Sequence, residues 1–150
     1  MKGWIKVIEN PCTNNGKEPV KSSSGTEYAL TLHVVFVTDH RRPLLTAAAQ
    51  TFFREEMRDI LTEHKCRMLH LCMSEQHMHL ILDVTPDICI SKTVASIKSV
   101  STRRWFQQQK GQSGQPKGKL WYRNYLVKSC GQANEAEVMG YVERMPVDKG

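Results

Sequence analysis

The sequence predicts an α+β domain: a ferredoxin-like split βαβ antiparallel sheet with an additional C-terminal helix. Three observations carry this. Strand-like and helix-like segments follow in the order β-α-β-β-α-β, and one more helical segment closes the chain. The second and third strands are separated only by Ser74, Glu75 and Gln76, which makes them an antiparallel hairpin, because parallel neighbours need a long crossover. The length of 150 residues, with 40% hydrophobic and 24% charged, supplies one core and fits one domain.

Near the N-terminus, Trp4, Ile5, Val7 and Ile8 suit a short strand, and Pro11 to Gly25 have turn or disorder composition. Residues 1–27 are therefore read as a flexible N-terminal extension and 28–150 as the folded domain. From Tyr28 the chain is rich in β-branched and aromatic residues. Leu30, Leu32, Val34 and Phe36 share one face of this strand, and Thr31, His33, Val35 and Val37 the other. A helix is predicted from about Leu45 to His64, with Ala48, Phe52, Met57, Ile60 and Leu61 as its apolar stripe. Cys66 to Met73 and His77 to Val84 read as the hairpin strands. Ile88 to about Gln109 reads as a second helix, with Ile90, Val94, Ile97, Ser101 and Trp105 near one face. After a loop at 111–118, Leu120 to Val127 is the predicted fourth strand. The last helix spans about Asn134 to Met145; Asn134 and Glu137 have the spacing of a capping box, and Pro146 stops it.

Composition excludes several classes. No apolar run approaches the roughly 18 residues of a membrane span. Met1 to Asn10 lacks a long apolar stretch, so a cytoplasmic location is expected rather than secretion. Five cysteines without a CxxC pair argue against a disulfide framework or a zinc knuckle. The net charge of +6 is unevenly placed. Between Asp87 and Glu135 there is no acidic residue, while Lys92, Lys98, Arg103, Arg104, Lys110, Lys117, Lys119, Arg123 and Lys128 all fall there, interleaved with Trp105, Phe106, Trp121, Tyr122 and Tyr125. This pattern suits single-stranded nucleic acid, where bases stack on aromatic rings. It equally describes a solvated helix face with its aromatics in the core.

Two further elements carry chemistry. His77 and His79 are two apart on a strand, so both imidazoles share a face, a half-site for a divalent metal or a structural pair. Met78 points to the opposite, core side. Tyr141 lies on the last helix, where a tyrosine taken alone packs on the sheet.

Taken together, these motifs resemble the IS200/IS605-type transposases, single-domain tyrosine enzymes of the HUH nuclease superfamily, with the REP-associated transposases as relatives. His77-Met78-His79 matches the family's histidine-hydrophobic-histidine motif. HVVFVTDHRRPLL resembles its first strand and basic turn, GKLWYRNYLVKSCG its segment before the last helix, and Tyr141 falls where its catalytic tyrosine falls. The resemblance covers about Tyr28 to Met145. It implies metal-dependent cleavage and rejoining of single-stranded DNA through a 5′-phosphotyrosine link, with Tyr141 catalytic and His77 and His79 holding Mg²⁺ or Mn²⁺. It also implies a homodimer that binds hairpin ends, with backbone contacts from Arg41, Arg42, Lys92, Lys98, Arg103, Arg104, Lys117, Lys119, Arg123 and Lys128. Two positions depart from the pattern. Met145 stands where the family has a metal-binding glutamine, with Glu137 on the tyrosine's face as a candidate substitute, and Glu75-Gln76 stand in place of Pro-Asp. The competing expectations are a catalytically impaired or domesticated relative that binds hairpin DNA, an RNA-binding module of similar fold, and a plain structural protein.

Overall fold

A computed structural model describes residues 21–23, 25–28, 30–111, 118–129, 140–144 and 146–147. Its centre is a four-stranded antiparallel sheet formed by β3 (Thr31–Val37), β4 (Arg67–Met73), β5 (His77–Asp83) and β6 (Leu126–Ser129), in the order β4-β5-β3-β6. This is the ferredoxin-like arrangement predicted from the element order, with the first and third of these strands at the centre. β3 and β5 pair along their whole length, from Thr31 opposite Asp83 to Val37 opposite His77.

Helices α1 (Ala47–Glu63) and α2 (Ile90–Gln108) cover one face. Val34, Phe36, Met78, Leu80 and Leu82 from the sheet meet Phe53, Met57, Ile60, Val94, Ile97 and Trp105 from the helices, all of them buried. Period two along the strands and the helical period along α1 and α2 bring these side chains to one layer. Thr46 caps α1, its hydroxyl accepting from the Ala49 N–H at 3.3 Å.

Three details differ from the sequence reading. The buried stripe of α1 is Ala49, Phe53, Met57, Ile60 and Leu61, whereas Ala48 is exposed and Phe52 half-buried. Phe53 stands four residues before Met57 and so shares its face; Phe52 does not. The fourth strand begins at Leu126 rather than Leu120. Leu120 and Trp121 are both buried in the core, and two consecutive inward residues are incompatible with strand alternation. Trp121 makes a single bridge to Thr38 before the ladder resumes. A small hairpin of β1 (Lys21–Ser23) and β2 (Thr26–Tyr28), turned by Gly25 at φ 81°, begins within the extension read as 1–27 and ends on the first residue of the predicted domain. The predicted strand at Trp4 to Ile8 and the start of the last helix at Asn134 lie outside the described residues.

Trp105 and Trp121 settle one alternative from the composition. Each ring lies 5.8 Å from Phe53, and both side chains belong to the core, so neither is a platform for bases.

Candidate active site

The second face of the sheet is built from the residues that alternate with the core. Val35 pairs with His79 and Val37 with His77 across β3 and β5, and Cys72 pairs with His79 across β4 and β5. Directly opposite residues point the same way, so His33, Val35, Val37, His77, His79, Ile81, His70 and Cys72 share this face. The parity argument for His77 and His79 therefore holds, and Met78 lies in the core as expected.

His77 is 0% exposed and His79 2% exposed. Burial lowers the His77 pKa to about 4, with the charge of Arg41 adding to the effect. Burial lowers that of His79 to about 2, assisted by His33, His77 and His70. Both rings are neutral at pH 7, the protonation state in which imidazole binds a metal. Ser74, in the hairpin turn, places its hydroxyl 2.9 Å from His77 Nδ1 and 3.1 Å from Nε2. His33 Nε2 lies 2.6 Å from His79 Nδ1. The pair fits a divalent cation as half a site. Among the described residues no group of three His, Cys, Asp or Glu side chains is arranged to hold one, and Glu137 and Met145 lie outside those residues.

Residues 140–143 are helical and carry Tyr141, which is 8% exposed. Its buried hydroxyl has no hydrogen-bond partner among the described residues. Burial raises its pKa to about 12; the neighbouring Tyr122 adds to this and Arg144 opposes it. Arg41 links the helix to the histidine side, donating from Nη1 to the Val142 carbonyl at 3.3 Å while its charge reaches His77. Arg41 can do this because the turn at Asp39–Arg41 is tight, with His40 and Arg41 at φ 54° and 51°.

Comparison with known proteins fits this geometry. Residues 26–145 match the family described as transposase IS200 like. The chain belongs to the IS200-like transposase family. The ISDra2 transposase TnpA of Deinococcus radiodurans is 25% identical over 128 residues, covering 83% of this chain and 89% of that protein. The transposase for insertion sequence element IS200 of Salmonella typhimurium is 23% identical, covering 82% and 81%. A crystal structure from Deinococcus radiodurans R1, assigned as a transposase, superposes with a TM-score of 0.76 at 26% identity over 85% of this chain and 99% of that one. A REP-associated tyrosine transposase bound to a REP hairpin shares the fold, with a TM-score of 0.52 at 16% identity, over 83% of this chain and 70% of that one.

The cations of this IS200-like transposase divide into groups. Lys98, Arg103, Lys119 and Arg123 line one open groove of about 400 Å³ between α2 and the segment before β6, together with Trp121 and Tyr122. Arg42 joins its edge by donating to the Lys119 carbonyl at 3.2 Å. Lys98 is the exception within the groove: its ammonium donates to the Tyr122 and Asn124 carbonyls at 2.6 and 2.9 Å, and burial lowers its pKa to about 8. Arg104 is paired with Glu56 of α1 at 2.6 Å. Lys92 is exposed near the start of α2, and Lys128 stands opposite His33 on β6. Lys117 lies outside the described residues. His33 and Ser74 are the neighbours of the histidine pair that sequence reading left out; strand parity put His33 on the right face, but only the pairing of β3 with β5 brings it to His79. No helix among the described residues is long and apolar enough to cross a membrane.

Proposed function

We propose that this transposase cleaves and rejoins single-stranded DNA by transesterification, with Tyr141 as nucleophile. The observation that carries the reading is the pair of neutral, buried imidazoles of His77 and His79 side by side on β5, in a chain matched to the family over residues 26–145. The Tyr141 oxygen attacks a backbone phosphorus, a P–O(Tyr) bond forms, the P–O3′ bond breaks, and the phenolic proton is released as the 3′-oxygen leaves and takes up a proton. The product is a 5′-phosphotyrosine link and a 3′-hydroxyl. Attack by a 3′-hydroxyl on the link runs the step backwards and rejoins DNA, so phosphodiester energy is conserved.

His77 and His79 would hold Mg²⁺ or Mn²⁺, which when bound supplies positive charge to the non-bridging oxygens of the scissile phosphate. Two nitrogens alone suit Mg²⁺ poorly, so oxygen donors, for which Glu137 is the candidate in this chain, would be needed beside them. With its pKa raised to about 12, Tyr141 is protonated at rest and unreactive where it packs. DNA engagement must bring ring and phosphate together, through movement of residues 140–143. Arg41, joined to the Val142 carbonyl, is placed to exchange that contact for a phosphate.

The groove of Arg103, Lys119 and Arg123 supports hairpin DNA as the ligand, through backbone contacts. The outer strands β4 and β6 support a homodimer, since each offers a main-chain edge that a second copy can pair. A cytoplasmic location goes with this reading. A second reading, a relative that binds hairpins without cutting, is favoured by one feature, Met145 in place of the glutamine. Incubation of end-labelled hairpin DNA with Mn²⁺ separates the two. The transposase reading expects a covalent protein–DNA adduct that disappears in Tyr141→Phe; an adduct persisting in that variant overturns the nucleophile, and hairpin retention with no adduct selects the binding-only relative.

A further inference from the structure

We propose that His33 is a positioning residue for the metal-holding pair: it accepts the Nδ1–H of His79 and thereby holds that imidazole in the tautomer whose Nε2 lone pair is open to a cation. This rests on reading His77 and His79 as metal ligands.

The geometry is specific. His33 lies mid-strand on β3, between Ile81 of β5 and Lys128 of β6, so its backbone is fixed from both sides. Its ring meets that of His79 edge-on, with centroids 4.4 Å apart and planes at 68°. The facing nitrogens, His33 Nε2 and His79 Nδ1, are 2.6 Å apart. At that separation one proton lies between them: two lone pairs repel, and two N–H groups collide. A ring that binds a metal is neutral, so His79 as a ligand carries a single proton.

Two arrangements remain. When His33 donates, the proton of His79 sits on Nε2 and blocks metal binding there. When His79 donates, its Nε2 is bare. Metal-binding histidines ordinarily pass their second N–H to a carboxylate, carbonyl or water, which fixes the ring and raises its basicity. Here the acceptor is another imidazole, on the strand next door, and its own proton is left on Nδ1. The neighbour thus decides whether His79 is a ligand or a blocked donor.

The test uses the full-length chain, metal-free, at pH 7. Long-range proton–nitrogen NMR of ¹⁵N-histidine protein, with His79 assigned by its loss in His79→Asn, is expected to give the Nδ1–H tautomer; an Nε2–H tautomer overturns the proposal. Mn²⁺ binding followed by the EPR signal of free Mn²⁺ is expected to weaken about 10–100-fold in His33→Phe. His33→Gln, whose side-chain oxygen can accept in the same place, should restore most of it. Wild-type affinity in His33→Phe, or equal loss in Phe and Gln variants, overturns the proposal. Where His33→Phe fails to fold, the wild-type spectrum and the Gln variant still decide. A wild-type protein that takes up no Mn²⁺ defeats the metal reading of the site, while the spectrum alone still decides the role of His33.

Discussion

On one face of the sheet, Val34, Phe36, Met78 and Leu80 pack with two helices in the hydrophobic core. One residue along the same strands, His77 and His79 are buried as deeply, yet they are polar. The apolar face gains stability from every methylene it hides, and its contacts are shared among many partners. The histidine pair gains little from burial. Each imidazole it hides must be desolvated and held neutral, a cost of about 1–3 kcal/mol wherever a polar atom lacks a partner. The contrast sets a wholly apolar sheet face against one in which Val35, Val37 and Ile81 share their burial with two imidazoles, the pair that the proposed function uses.

Reciprocal substitutions test that division most strongly. Phe53 is fully buried against Phe52, Trp105 and Trp121. Phe53→Ala should cost about 3–5 kcal/mol, a large part of the 5–15 kcal/mol typical of a domain. Tyr141→Phe should abolish the DNA adduct completely and leave stability within about 1 kcal/mol, because its hydroxyl has no hydrogen-bond partner among the described residues. Urea unfolding and adduct gels on both variants check this. A Tyr141→Phe protein destabilised as much as Phe53→Ala would place the tyrosine in the scaffold.

The next effect is the pH dependence of the metal-free protein. The unfolded histidines titrate near 6.5, while His77 is lowered to about 4 and His79 to about 2 in the fold. Above pH 6.5 neither state takes up a proton at these rings, and the stability they permit is fully present. As pH falls below 6.5 the unfolded chain binds protons that the folded chain refuses, so stability drops. The slope approaches about 1.4 kcal/mol per pH unit for each ring. The share of His77 is lost by about pH 4, whereas that of His79 is lost further down, towards pH 2. By pH 5 the two together should have removed about 4 kcal/mol, read from urea midpoints at pH 7, 6 and 5. A flat profile would mean that solvent reaches both rings and that the two faces are less different than their burial implies.

How much of this was legible beforehand follows the same division. The apolar face is written in local periodicity, so its strands and helices could be placed from sequence. In the stripe of α1, Met57, Ile60 and Leu61 are legible, whereas its first two positions fall one residue early because the adjacent Phe52 and Phe53, and the run Ala47 to Ala49, offer two apolar tracks, and only the spacing back from Met57 selects the inner one. The β6 start was missed because Leu120 and Trp121 read as strand residues while both are drawn into the core. His77 and His79 were legible as a pair, since parity on one strand needs no partner. His33 was not, because its part depends on a register between strands 46 residues apart. Tyr141 has no local mark at all: a buried tyrosine on a helix looks like packing, and only the family pattern singles it out.

The smallest effect separates two cations that composition treats alike. Lys98 and Arg123 line the same groove, but Lys98 already gives its ammonium to the Tyr122 and Asn124 carbonyls and sits 5.5 Å from the Phe36 ring centre. Arg123 is exposed. Lys98→Met should therefore cost about 1–3 kcal/mol of stability through lost charge-assisted hydrogen bonds, and leave the salt dependence of hairpin binding nearly unchanged. Arg123→Ala should leave stability within about 0.5 kcal/mol and lower the slope of log affinity against log salt by about 0.7–1, measured by anisotropy between about 50 and 200 mM salt. The two variants thus exchange their effects if the groove reads as built. An equal loss of slope in Lys98→Met would mean that DNA displaces the two carbonyls from the lysine, and that the segment before β6 is released when the nucleic acid binds.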